Sequence, residues 1–164
     1  METTEHAFAH EVVRIARGEI GRGESGRNNG GPDVVRYRRG VDDGGAWCAS
    51  FVSWCLEEAA AALGVRCPVR RSAGAKWLFS RVLDGGGVRL ELPEVGAVVL
   101  WHRGAVGAAT GHVGIVSAIG DGGFCSVEGN RGPAAKVKEF RHALVDPMLL
   151  GFARLPAVQA ASVA

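Results

Sequence analysis

The chain has 164 residues, 47% apolar and 22% charged, with a formal net charge of +2. That length and composition fit one globular domain with its own core, expected over 1–164 with a core at about 8–156. The small charge gives no case for a nucleic-acid partner, and no apolar run is long enough for a membrane span.

Residues 1–6 show no basic stretch followed by an apolar run, so the expectation is synthesis in the cytoplasm without a signal peptide. Residues 4–17 read as a helix, capped by Thr3 or Thr4, with Phe8, Val12, Ile15 and Ala16 in line. His6 and His10 stand at i, i+4 but lack the Glu of HExxH and a third ligand, so no metal is expected. The glycine-dense loop 21–31 lacks a P-loop ending and follows a helix, which argues against a phosphate cradle. Pro32 suits the first position of a short helix running to Arg39 and closed by Gly40.

A turn at 41–45 leads to a central helix over 47–63. Phe51, Cys55, Ala59 and Ala62 lie on one line, Val52, Leu56 and Leu63 lie beside it, and Gly64 stops it. Cys48 therefore sits in the first turn of a buried helix. Helix N-termini carry partial positive charge and unpaired N–H groups. A thiol there ionises more easily, the thiolate is the nucleophile, and the spare N–H groups can receive an oxyanion. A cysteine at a helix start also reads as plain packing, so the rest of the chain decides. The four cysteines, Cys48, Cys55, Cys67 and Cys125, are expected as free thiols: no CxxC occurs, and Cys48 and Cys55 are about 10 Å apart on one helix. The arginines at 36, 38, 39 and at 66, 70, 71 read as solvated faces.

Cys67-Pro68 breaks the pattern. Ser72 is placed to cap a further helix with Ala75, Leu78, Phe79 and Val82 inward, ended by residues 84–87. The period then becomes two. Strands are expected at 96–102, 111–119 and 124–129, with a loop at 103–110 and a hairpin turn at 120–123. Further strands are expected at 136–142 and 149–155, and a frayed tail from Ala157. Helices followed by an antiparallel meander define an α+β domain with a helix on one sheet face.

His112, Gly114, Val116 and Ala118 share one strand face, and Ser126, Glu128 and Asn130 share the next. If these faces look at the central helix, His112 reaches Cys48, and Glu128 or Asn130 holds the far side of the imidazole. His102 competes as a base but has no comparably placed carboxylate. Each residue alone also reads blandly, as a core histidine, an exposed strand glutamate and a turn asparagine.

Four ordered blocks, 47–56, 96–100, 111–116 and 127–130, resemble the CHAP branch of the NlpC/P60 cysteine peptidase superfamily. The resemblance extends to Ala16, 19–21, Glu24 and 151–156. It implies a papain-like fold, N-terminal helices packed on an antiparallel sheet, and amide cleavage in bacterial cell-wall peptides. It assigns Cys48 as nucleophile, His112 as base and Glu128 as orienter, with Asn130 completing a quartet. Gly45-Ala46 stands where many relatives carry a proline. Peptidoglycan or a stem peptide is the implied partner, with room for an inhibitor or immunity protein, and no cofactor. Trp47, Trp101 and Arg131 are candidates to line the substrate groove, and Asn28, Asn29 and Asp43 to supply a second oxyanion donor. Action on the wall then requires release or delivery, as by phage lysis or toxin secretion. The alternatives are a papain-like protease or acyltransferase with another substrate, and a silent binding domain.

Overall fold

In the computed structural model, which describes residues 4–160, four helices precede a six-stranded antiparallel sheet. The helices are α1 (Thr4–Gly18), α2 (Pro32–Tyr37), α3 (Cys48–Ala62) and α4 (Ala75–Asp84). The strands are β1 (Val88–Leu90), β2 (Val98–His102), β3 (Gly111–Gly120), β4 (Gly123–Glu128), β5 (Lys138–Ala143) and β6 (Leu149–Arg154). Their order is β1-β6-β2-β3-β4-β5. Only β2 to β5 form the expected meander. β6 returns to pair with β2 on one side and the short β1 on the other, so β2 has no open edge. β1 has an exposed, three-residue pattern with no alternation from which to read it.

α3 is buried on most sides because α1 packs on one flank and β3 on another. Its N-cap, Trp47, makes no side-chain capping bond. The indole fixes the helix start instead. It stacks on Tyr37 at 5.6 Å, and Nε1 donates to Glu24 Oε1 at 3.0 Å. Glu24 Oε2 in turn accepts the Ala135 N–H at 3.1 Å. The indole also lies against the Gly129 backbone, where an added Cβ would come within 2.4 Å of it. Trp47 is thus fully buried and takes no part in lining a groove.

Val98, Leu100, Val113, Ile115 and Val127 face the helices in the main core. Val99, Trp101, Val116, Phe124 and Phe152 form a second cluster on the opposite sheet face. Trp101 pairs with His112 in register, so the face carrying His112, Gly114 and Val116 turns to this second cluster and not to the body of α3. An irregularity between Val116 and Ala118 takes Ala118 out of that line.

Ser72 does not cap α4. The N-cap is Gly74, and the Ser72 hydroxyl accepts the Gly74 N–H at 3.2 Å in a local turn. Of the tail expected to fray, Gln159 accepts the Arg66 N–H and Ala160 bridges to Val65. Residues 161–164 and the alternative cap Thr3 lie outside the described residues. All four cysteines are free. Among the described residues no helix is long and apolar enough to cross a membrane.

Candidate active site

Cys48 is the first residue of α3. The Phe51 N–H is bonded to the Trp47 carbonyl, so the N–H groups of Cys48, Ala49 and Ser50 have no intrahelical acceptor. Cys48 as a whole is 3% exposed. Burial opposes its ionisation most, but a hydrogen bond with His112, the His112 and Arg103 charges and the Val113 backbone together hold its pKa below the ordinary value.

His112 lies near the start of β3, beside the beginning of α3. Its Nε2 is 2.7 Å from Glu128 Oε2, which leaves Nδ1 for the Cys48 sulfur. Burial disfavours the imidazolium, yet the bonds and charges of Cys48 and Glu128 raise the His112 pKa from 6.5 to about 9. Both shifts act in one direction, favouring the thiolate and imidazolium form of the pair over the neutral one.

Glu128 is fully buried. It lies one step beyond the Ile115↔Val127 pair, opposite Gly114, where an added Cβ would be 2.7 Å from Glu128 Cγ. The missing side chain at Gly114 leaves room for the carboxylate to lie along the sheet toward His112. Burial works against the carboxylate charge, but His112, His142 and Ser126 outweigh it and hold the pKa well below the usual range. Ser126 Oγ donates to Oε1 at 2.6 Å, His142 Nε2 lies 2.7 Å from Oε1, and Arg131 Nη1 reaches Oε2 at 3.1 Å. A buried carboxylate needs this many partners to stay charged. The His142 ring is itself held against Trp101 and Phe124, with centroids 4.9 and 5.1 Å away.

Thus the structure brings Cys48, His112 and Glu128 into one line. Asn130 lies close by, buried at φ 57°, but its bond is through its carbonyl, which accepts Arg103 Nη2 at 3.0 Å. Glu128 holds the histidine nitrogen for which the two were candidates. Arg131 and one side of the largely buried Trp101 border a cleft that also includes His102, Arg103, His112 and His142. Asn29 donates to the Gly44 carbonyl, and Asp43 is engaged by Arg38 and the Gly45 N–H. Asn28 borders a separate cavity with Glu24 and Pro133.

Three residues escaped the sequence reading. Arg103 donates from Nη1 to Cys48 Sγ at 3.9 Å. Its place in a glycine-alanine loop gave no periodic signal. His142 joins through the Phe124↔His142 register of β4 and β5, which the sequence does not display. Trp77, 72% exposed, borders a second cleft that opens on Cys48 from the α4 side. A tryptophan that leaves the apolar line of a helix was the available clue.

A thiol at the start of a buried helix, with a histidine and a carboxylate from the following sheet beside it, is the arrangement that a papain-like fold leads one to expect. The chain belongs to the CHAP domain family, whose model matches residues 40–130. Similar solved structures include Ly7917 (17% identity, TM-score 0.59, covering 90% of this chain and 62% of that one). Others are Ly7917 with the hydrolyzing product of MDP (18%, 0.59, 90% and 62%) and the wild-type endolysin LysIME-EF1 (20%, 0.58, 90% and 64%). The chain spans less than two thirds of the length of these structures. No curated protein matches it.

Proposed function

We propose that the chain is a cysteine-dependent peptidoglycan hydrolase that cuts amide bonds of cell-wall peptides, as an amidase or endopeptidase. The observation that carries this reading is the continuous contact from the Cys48 thiol through His112 to buried Glu128, in a chain of the CHAP family. Support comes from the structural neighbours, one an endolysin and one solved with the hydrolyzing product of MDP. The reading takes residues 1–164 as one catalytic unit, acting on wall material to which it is released or delivered.

The Cys48 thiolate attacks the amide carbonyl carbon, and the oxygen takes up negative charge at the uncapped N–H groups opening α3. The His112 imidazolium donates its proton to the departing amine, leaving a thioester and neutral imidazole. That imidazole takes a proton from water as the water attacks the thioester. Collapse of the second adduct releases the carboxylic acid product and restores thiolate and imidazolium. Glu128 stays ionised, fixes the ring and stabilises its charged form.

Digesting purified sacculi and identifying the released fragments by mass spectrometry tests the proposal. New amine and carboxyl termini should appear with the native chain and not with Cys48→Ala. Fragment patterns identical for the two proteins sink it.

A further inference from the structure

The cleft on the α4 side of Cys48 carries positive charge without a carboxylate in its lining. Its walls are Cys48, Lys76, Trp77, Arg103 and Thr110, with alanines and glycines between. Lys76 Nζ donates to the Ala108 carbonyl at 2.5 Å. Arg103 donates to the Asn130 carbonyl and to the Cys48 sulfur. None of these acceptors is a carboxylate, whereas Arg36, Arg39, Arg71 and Arg131 are each paired with one. An ammonium has three donors and a guanidinium five, so both cations keep capacity for a ligand. The small wall residues leave room for a peptide backbone. A Cys48 thiolate is offset by the imidazolium of His112 beside it, and a neutral thiol carries no charge, so in either form Lys76 and Arg103 leave the cleft net positive.

We propose that this cleft selects substrates with a free carboxylate beside the scissile amide, bound by Arg103 and Lys76. The bond that is cut rests on the hydrolase reading above. The preference for an anion belongs to the cleft and is measurable without a wall substrate.

Alkylation of Cys48 by iodoacetate and by iodoacetamide tests it. Each reagent forms a carbon–sulfur bond with the same thiolate and expels iodide. The ratio of the two rates therefore cancels any change in thiolate fraction and reports only the reagent's charge. For Cys48 the iodoacetate/iodoacetamide ratio should exceed that of free cysteine by about tenfold at low salt, and fall as salt rises. Lys76→Gln and Arg103→Gln should each bring it several-fold back toward free cysteine. Thermal melts establish that each variant is folded, and Lys76→Gln carries the test if Arg103→Gln is not. A native ratio equal to that of free cysteine, or one unmoved in the folded variants, overturns the proposal.

A second arm compares two peptides differing only in a free or amidated carboxylate beside the amide. The free form should show about tenfold higher kcat/KM, and equal values overturn the selectivity. If no peptide or sacculus is cut while the iodoacetate preference persists and depends on Lys76, the hydrolase reading fails and the anion-selective cleft stands.

Discussion

Toward the helices the sheet presents Val98, Leu100, Val113, Ile115 and Val127; toward the other side it presents Trp101, His112, Ser126, Glu128 and His142. These five residues of the first face carry no side-chain polar atom to satisfy. The second keeps a carboxylate with 0% exposure charged by surrounding it with two histidines, a serine and an arginine. One set of strands thus separates two tasks by side-chain alternation. His112, Ser126 and Glu128, at even positions of β3 and β4, hold the polar groups, and Val113, Ile115 and Val127, at odd ones, supply apolar contact to the helices. Substitutions on the two faces should fail differently, the polar face losing chemistry and the apolar face losing stability.

The largest effect is expected where the second face meets α3. Cys48→Ala should lower release from sacculi by about 10⁴-fold or more while the melting temperature changes little. Residual turnover within tenfold of native would move the nucleophile elsewhere.

Glu128→Gln keeps the shape and removes the charge, and should cost about 10²-fold in turnover. The sign of its pH effect follows from His112. With a folded pKa of about 9, the imidazolium's stabilising contribution is complete below 6.5 and is lost as pH rises through about 9. Without the Glu128 charge that pKa falls, so the alkaline limb of activity should move to lower pH. Asn130→Ala should cost less than about tenfold, because its bond is made by the backbone. Matched pH–rate profiles decide. If Asn130→Ala abolishes turnover and Glu128→Gln changes neither rate nor profile, the third residue is Asn130.

A smaller loss, about tenfold, is expected for His142→Phe, which keeps an aromatic ring beside Trp101 and Phe124 but removes the bond to Glu128. His142 helps depress the Glu128 pKa. Without it that pKa rises, so activity should fail at higher pH on the acid side. An acid limb that does not move would reduce His142 to packing.

Least change in turnover is expected from the apolar face. Ile115→Ala should cost about 2–4 kcal/mol of stability in urea unfolding, yet leave Cys48 alkylation rates unaltered in the folded protein. Alkylation slowed as much as in Glu128→Gln would erase the distinction between the faces.

The line from Cys48 to Glu128 was legible because helix start and strand alternation are periodic signals, and both survive in the structure. The α+β class was legible for the same reason. Which way the His112 face pointed was not: alternation separates two faces but does not say which one the helices cover. Nor was the return of β6 beside β2, since pairing between distant strands leaves no local mark. Arg103 sits in an aperiodic loop, and His142 reaches Glu128 only through cross-strand register. Trp47 misled because a tryptophan beside a reactive cysteine reads as a groove wall, whereas its Nε1 is bonded inward to Glu24.

That inward tryptophan has a mechanical consequence. Trp47 is the chain neighbour of Cys48, Gly129 is the chain neighbour of Glu128, and the indole rests on the Gly129 backbone. One aromatic ring therefore works as a spacer between the two ends of the reactive line, gauging their separation by its own thickness. To drift from the sheet, the start of α3 would have to peel the ring away and release Glu24. The centre is consequently a preset assembly with no hinge across it. On warming, its reactivity and the tertiary structure should disappear in the same transition.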